Sequence, residues 1–318
     1  MNSTIGIIAA KEVRDIIKSK IFLGILILLF AMTLVTVILG SAQVSHQLDL
    51  YQKSVEFLKS IGKTELPPMP SLNPIAVSKN YVNYIGMLGA LLAIILGHFA
   101  LSKERRSKTL NLILSRPVYR DQLLTGKIIG SVLVLSAIVL IIGLFTTMFI
   151  SVLGGVSLSA SELTKMWLFF LMSLLYLLVF FFVEFWLSIK MPKGNNALLI
   201  GIILWLAFAF IIPQVGDTMD LDNQLPGGFF AQMGMGKVQE KAVLAKFTWY
   251  EKVRDGIEEM SPTKHFERVS FALLGIKPEF ITNTPVEILK LKWLNLAGLL
   301  TPIFIFMMLS YSAFLKKE

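Results

Sequence analysis

Six long apolar stretches constrain this chain more than any other feature of its sequence. They are residues 21–44, 81–101, 128–153, 167–189, 197–215 and 293–315. A helix needs roughly 20 mostly apolar residues to cross the hydrocarbon core of a bilayer. Within that core, only helices and closed barrels satisfy the hydrogen-bonding groups of the backbone. The sequence therefore predicts an all-α integral membrane protein with six transmembrane helices and not a soluble enzyme.

The distribution of charge predicts the orientation of these helices. An even number of spans places both termini on one side, and the formal net charge of the chain is +9. The short loops on the terminal side are strongly basic, whereas basic and acidic residues balance on the other side. Because short basic loops stay in the cytoplasm, we expect both termini there, in a multi-pass protein of the cell membrane. The basic excess follows the topology, so we expect contact with membrane lipids and no nucleic-acid binding.

The segments outside the membrane divide the chain further. Residues 1–20 predict an amphipathic helix in the membrane interface, although an ordinary charged flank of the first span is the alternative. Spans one to five occupy 21–215, with an outer loop at 45–80, and residues 293–318 hold the sixth span and a cytoplasmic tail. In the long outer loop at 216–292, helical composition predicts a small helical extracytoplasmic cap. Capping boxes at Ser159 and Thr284 predict the start of a helix at each position. Ser261-Pro262 predicts the start of another helix, which Gly275 ends.

Few residues of this chain suggest bond-making chemistry. A phosphate-cradling loop has only the partial match Gly62-Lys63-Thr64, so no nucleotide site is expected. The three histidines lack metal-ligand spacing, and His98 is interpreted as a packing or interfacial residue. Glu184 is the one acid within a span, where such acids are costly and often functional. Pairing with a basic residue or snorkelling towards the surface is an equally good interpretation. Gly126 and Gly130 have the small-xxx-small spacing that permits close helix packing.

The link at 102–127 between the second and third stretches is the most informative segment. A dense basic run leads into an amphipathic turn at Leu110, Leu112, Ile113 and Leu114, which Pro117 ends. An exposed apolar edge on a short helix suits docking into a groove of a soluble partner. From the residues alone, a basic topology anchor without any partner is an equal alternative.

This link resembles the signature of type-2 ABC transporter permeases. The resemblance rests on Glu104, Thr109-Leu110, the Leu-rich turn, Ser115-Arg116-Pro117-Val118, Arg120 and Gly126-Lys127. Lys108 departs from the Gly that is frequent in the family, and the 216–292 loop is larger than in many relatives. The similarity implies a half-transporter that pairs with a second permease copy or a paralogue across its first and fifth spans. It also implies a separate ABC ATPase subunit that carries the ATP and Mg²⁺, with no cofactor in this chain.

The resemblance further implies which residues transmit force. The expected strip of contact with the ATPase is Glu104, Arg105, Arg106, Thr109, Leu110, Leu112 and Leu114, and its exit is shaped by Arg116, Pro117 and Arg120. The expected function is export of a lipid-like, amphipathic, peptide or ionic cargo. One alternative is a non-transporting receptor or scaffold that binds a ligand or protein through its cap. An intramembrane enzyme or proton-coupled carrier is a weaker alternative, because such carriers usually show internal repeats and several embedded charges.

Overall fold

The computed structural model of the chain describes residues 2–61, 74–106, 119–153, 158–191 and 194–316. Within these residues every regular element is a helix, and six helical segments are long and apolar enough to cross a membrane. The prediction of an all-α membrane fold with six spans is therefore confirmed.

The helices follow one another with few interruptions in the described residues. In chain order they are α1 (Asn2–Ile17), α2 (Lys20–Ser60), α3 (Lys79–Tyr84), α4 (Ala90–Arg106), α5 (Arg120–Leu153), α6 (Ala160–Lys190), α7 (Gly194–Leu206), α8 (Ile212–Met219), α9 (Phe229–Gln232), α10 (Lys237–Leu244), α11 (Thr248–Glu259), α12 (Pro262–Leu273), α13 (Pro285–Leu291) and α14 (Trp293–Leu315). Single π-helical turns at Ile85–Gly89 and Ala207–Ile211 join α3 to α4 and α7 to α8. Turns of 3-10 helix lie at Pro74–Ser78, Asp222–Gln224, Ala245–Phe247 and Pro278–Phe280.

The six spans are assembled from these helices. Span 1 is the first half of α2, span 2 runs from α3 through the π-turn into α4, and spans 3 and 4 are α5 and α6. Span 5 runs from α7 through the second π-turn into α8, and span 6 is α14. Span 4 is central, because it packs against spans 2, 3, 5 and 6. Its buried aromatic side chains fill the middle of the bundle, and they are Phe169, Phe170, Tyr176, Phe180, Phe181, Phe182 and Phe185.

Side-chain contacts at two levels fix the alternating direction of the spans. At one level, Thr125 of span 3 lies 2.8 Å from the Tyr311 hydroxyl near the end of span 6. At the other, Tyr81 of span 2 donates to the carbonyl of Thr33 in span 1, and Thr146 of span 3 donates to the Tyr81 hydroxyl. We call the first level, where α1 and the end of span 6 lie, the terminal face, and the other the opposite face.

Three helix boundaries differ from the expected ones. The helix of span 1 continues to Ser60, since residues 41–60 contain neither Gly nor Pro to stop it. Span 3 begins at Arg120, so Lys127 lies within a helix rather than in the link. The capping box at Thr284 is observed, but it caps α13, and a break at Lys292 separates α13 from span 6.

Helix α12 packs into the bundle. As predicted, Ser261 caps its start and Gly275, at φ 61°, follows its end. The Ser261 hydroxyl also donates to the carbonyl of Phe208 in span 5. Phe266 is fully buried and stacks on Tyr176 of span 4, with 4.7 Å between ring centroids. The 216–292 region therefore contributes a helix that is wedged between spans.

Candidate functional site

The link between spans 2 and 3 is bounded by two described helix ends. Helix α4 continues through Arg106, and α5 begins at the half-buried Arg120. The side chains of Glu104, Arg105 and Arg106 and the whole of Thr109, Leu110, Leu112, Leu114, Arg116 and Pro117 lie outside the described residues. The site is therefore built from the part of the terminal face to which these two helix ends belong.

A buried ion pair joins α1 to span 3 at this face. The Nζ atom of Lys127 lies 3.0 Å from Oε2 of Glu12, and the Lys127 side chain is only 2% exposed. The same ammonium donates to the carbonyl of Ala100 in span 2. A buried charge is costly unless it is paired and hydrogen-bonded. One ammonium thus connects α1, span 2 and span 3.

The glycines of span 3 make this contact possible. A Cβ atom on Gly126 would lie 2.7 Å from Cβ of Ile8, and one on Gly130 would lie 2.7 Å from Cβ of Glu12. Both distances are too short for real carbon atoms, so larger residues would separate the helices. The predicted close packing at this motif is confirmed, and its partner is α1 rather than another span.

A second buried polar cluster lies between spans 2 and 4. Glu184 is fully buried, and its Oε1 atom lies 3.1 Å from Nδ1 of His98 and 3.2 Å from the hydroxyl of Ser188. The interpretation of His98 as a packing or interfacial residue is therefore incomplete, since it is a polar partner of the intramembrane acid. The interpretation that Glu184 snorkels towards the surface is wrong, because its side chain has no exposed surface.

Two glycines bring backbone close to this cluster. A Cβ on Gly97 of span 2 would lie 2.6 Å from the carbonyl oxygen of Phe181 in span 4. A Cβ on Gly201 of span 5 would collide with Oε2 of Glu184. That oxygen has no hydrogen-bond partner among the described residues. Spans 2, 4 and 5 therefore meet beside one carboxylate. The space at Gly97 and Gly201 admits no side chain larger than a hydrogen atom.

The two clusters hold the same turn of span 2 from different sides. Ala100 accepts from Lys127, and His98, two residues earlier, contacts Glu184. The end of α4 at Arg106 lies six to eight residues further on, roughly 9–12 Å along the helix. A displacement of the link would therefore reach α1, span 3 and span 4 through named polar contacts. This arrangement is suited to transmitting movement.

Sequence reasoning missed both partners of this arrangement. His98 and Glu184 are separated by 86 positions, and Glu12 and Lys127 by 115. Local spacing contains no information on such pairs. One usable signal was present, since Glu12 interrupts the apolar side of α1 beside the buried Ala9 and Ile16.

Comparison with known proteins agrees with this architecture. A family model described as ABC-2 family transporter protein matches residues 7–318, which includes most of α1, all six spans and the long loop before span 6. A search of curated proteins found no significant match. Because the family model covers almost the entire sequence, the chain belongs to the ABC-2 family of transporter proteins.

Proposed function

We propose that this membrane transport permease is the membrane subunit of an ATP-driven exporter, with both termini in the cytoplasm of the cell. A separate ABC ATPase subunit, which holds ATP and Mg²⁺, docks on the link between spans 2 and 3. The observation that supports this proposal most directly is that two buried polar contacts, at His98 and Ala100, hold span 2 close to that link. A docking site is useful to a motor only if movement there reaches the spans.

The proposed path of force has a defined order. Closure of the ATPases moves the contact strip of Glu104, Arg105, Arg106, Thr109, Leu110, Leu112 and Leu114, whose exit is shaped by Arg116, Pro117 and Arg120. Span 2 then moves with its continuous helix. Lys127 transmits the movement to α1 and span 3, and Glu184 transmits it to spans 4 and 5. In this proposal Glu184 is a positioning residue and takes no part in bond making.

The lateral surfaces support a second permease copy, or a paralogue, as the other half of the transporter. Apolar side chains on spans 1 and 5 are among the most exposed of the bundle, and they include Ile27, Leu39, Ile203 and Ile211. Lipid or another permease can cover such surfaces. A pair of permeases would form the path for a cargo, for which few charged residues in the spans favour a lipid-like, amphipathic or peptide molecule over a small ion.

Co-purification of this chain with an ABC ATPase from the membranes of its native host tests the proposal. The test variant combines Glu104→Arg with Leu110→Asp, which reverses a charge and disrupts the apolar strip. The matched control combines Glu56→Arg with Leu50→Asp, the same changes at exposed positions on the distal half of α2. We expect the native chain and the control to retain the ATPase and the test variant to lose it.

The outcomes separate the proposed function from its alternative. Equal loss in test and control variants would point to misfolding, which a melting curve of each purified variant reveals. If the native chain binds no ATPase in the presence or absence of nucleotide, the exporter proposal is wrong. The receptor or scaffold function would then be the better description, and the 216–292 region would be the place to seek its ligand.

A further inference from the structure

A polar cleft of about 510 Å³ opens at the opposite face of the bundle. It lies between the end of span 5, helices α11 and α12, and the start of span 6. Most of its charged side chains neutralise one another across these elements. The ion pairs include Arg254–Asp220, Lys264–Asp217 and Arg268–Glu258. This part of the cleft is held together by its own charges and needs no ligand.

Two lysines that line the same cleft differ from its other charged residues. Among the described residues, neither Lys277 nor Lys292 has a carboxylate oxygen within 4.0 Å of its ammonium group. Lys292 is half-buried, and its ammonium lies 5.0 Å from the centre of the Phe280 ring. Burial lowers the pKa of Lys292, and the neighbouring charges of Lys277 and Arg268 lower it further, against a smaller opposite effect of Glu279. Carboxylates line the rest of the cleft, but no direct ion pair within the described residues neutralises these two ammonium groups.

Apolar side chains border the two lysines. Phe271, Leu291 and Leu294 line the same cleft, and both leucines are exposed. Lys292 immediately precedes span 6, so we expect it at the level of the lipid headgroups, and Lys277 lines the same cleft. Leu294 belongs to the first turn of span 6, next to the acyl chains of the membrane. Positive charge beside an exposed apolar edge is complementary to a molecule with an anionic head and an apolar chain.

We propose that this Lys277–Lys292 cleft binds an anionic amphiphile. Its phosphate lies between the two ammonium groups, and its apolar chain follows Leu291 and Leu294 towards span 6. A free phosphate would use the same two lysines but would gain nothing from the leucines. The inference names a ligand class for the permease proposed above. Its test needs no ATPase, so a failure of the coupling proposal and a failure of this one are distinguishable.

Native mass spectrometry of the purified full-length chain in detergent tests the cleft. The probes are dioctanoyl phosphatidylglycerol, dioctanoyl phosphatidylcholine and inorganic phosphate, so that charge and chain are varied separately. The variants are Lys277→Gln with Lys292→Gln, the charge-retaining Lys277→Arg with Lys292→Arg, and the control Lys246→Gln with Lys252→Gln. The control removes two exposed lysines of the same region that do not line the cleft.

We expect the native chain to bind phosphatidylglycerol more tightly than phosphatidylcholine. The double Gln variant should lose roughly thirtyfold in affinity for phosphatidylglycerol, because each of the two lysines contributes on the order of 1 kcal/mol near an anionic headgroup. The double Arg variant and the control should bind like the native chain. Lys277→Gln alone, at an exposed position, provides the same test if the double variant does not fold.

Three results would overturn the proposal. Equal binding of the two lipids would show that headgroup charge is not recognised. Equal losses in the double Gln variant and the control would show that net charge matters and not this cleft. If inorganic phosphate binds as tightly as phosphatidylglycerol, the ligand would be a free phosphate and not an amphiphile.

Discussion

At the scale of single residues, two buried carboxylates in the described part of the terminal face are each held by a partner on another helix. Glu12 pairs with the ammonium of Lys127, whereas Glu184 contacts the imidazole of His98 and the hydroxyl of Ser188. Both acids lie where an unpaired charge would be expensive. Each carboxylate therefore contributes to the stability of the fold only while its partner remains in place.

The Glu12–Lys127 pair predicts strong non-additivity. We expect Glu12→Gln and Lys127→Gln each to lower the free energy of unfolding by about 3 kcal/mol, because each leaves the other buried charge without this counter-charge. The double variant should lose much less than the sum of the two, since neither charge remains. Denaturant unfolding of the four proteins in detergent measures the coupling. Simple additivity would mean that the two side chains do not interact in the folded protein.

Gly201 provides a steric test of the Glu184 cluster. Gly201→Ala should destabilise the protein by roughly 1–3 kcal/mol, because its methyl group would collide with the Glu184 carboxylate. The matched control is Gly24→Ala in span 1, where an added Cβ meets no atom within 4 Å. That substitution should be neutral or slightly stabilising, since Ala favours a helix by roughly 0.5–1 kcal/mol. Equal melting temperatures of the two variants would contradict the packing described for span 5.

At the scale of elements, α12 is the helix whose position the sequence indicates least directly. Its cap and its end are readable from Ser261, Pro262 and Gly275, but its partners are not. Packing against spans 4 and 6 buries most of one face, including Val269 and Leu273. An element that sequence analysis assigns to an outer loop is therefore a component of the bundle core.

Loss of the aromatic stack on α12 should be costly. Phe266→Ala removes a fully buried ring that lies against Tyr176 and Phe169, so we expect about 3–5 kcal/mol of destabilisation. Phe247→Ala is the control, because that ring is half exposed, and its effect should stay within about 0.5 kcal/mol. Thermal unfolding followed by circular dichroism compares them. Similar losses in the two variants would argue against the burial of α12.

At the scale of the whole molecule, the sequence alone predicts the number of spans and their approximate limits. Lipid imposes a length and a composition on each span separately, and both are local properties of the sequence. The capping box at Ser159 is local as well, and the structure contains it. The contacts of Glu12 and His98 depend on how helices that are distant in sequence pack together. For that reason periodicity and spacing did not predict them, and the proposed ATPase strip stays a prediction.

The predicted orientation can be measured cleanly because the chain contains no cysteine. We expect a membrane-impermeant maleimide to label Glu56→Cys and Lys252→Cys in intact cells. Lys11→Cys and Lys316→Cys should react only after the cells are permeabilised, because the basic short loops keep the termini in the cytoplasm. Labelling of all four in intact cells, or of the terminal pair alone, would reverse or refute this topology.

The unbroken helix α2 has a mechanical consequence. Its 41 residues form a rod roughly 60 Å long, of which the final third to half projects beyond the hydrocarbon layer. A rod hinged at the Ser19 end converts a tilt of about 10° into a sweep of roughly 10 Å at its far tip. A small rotation of span 1 is thus enlarged into a displacement that a distance probe at Lys59 could follow from outside the membrane.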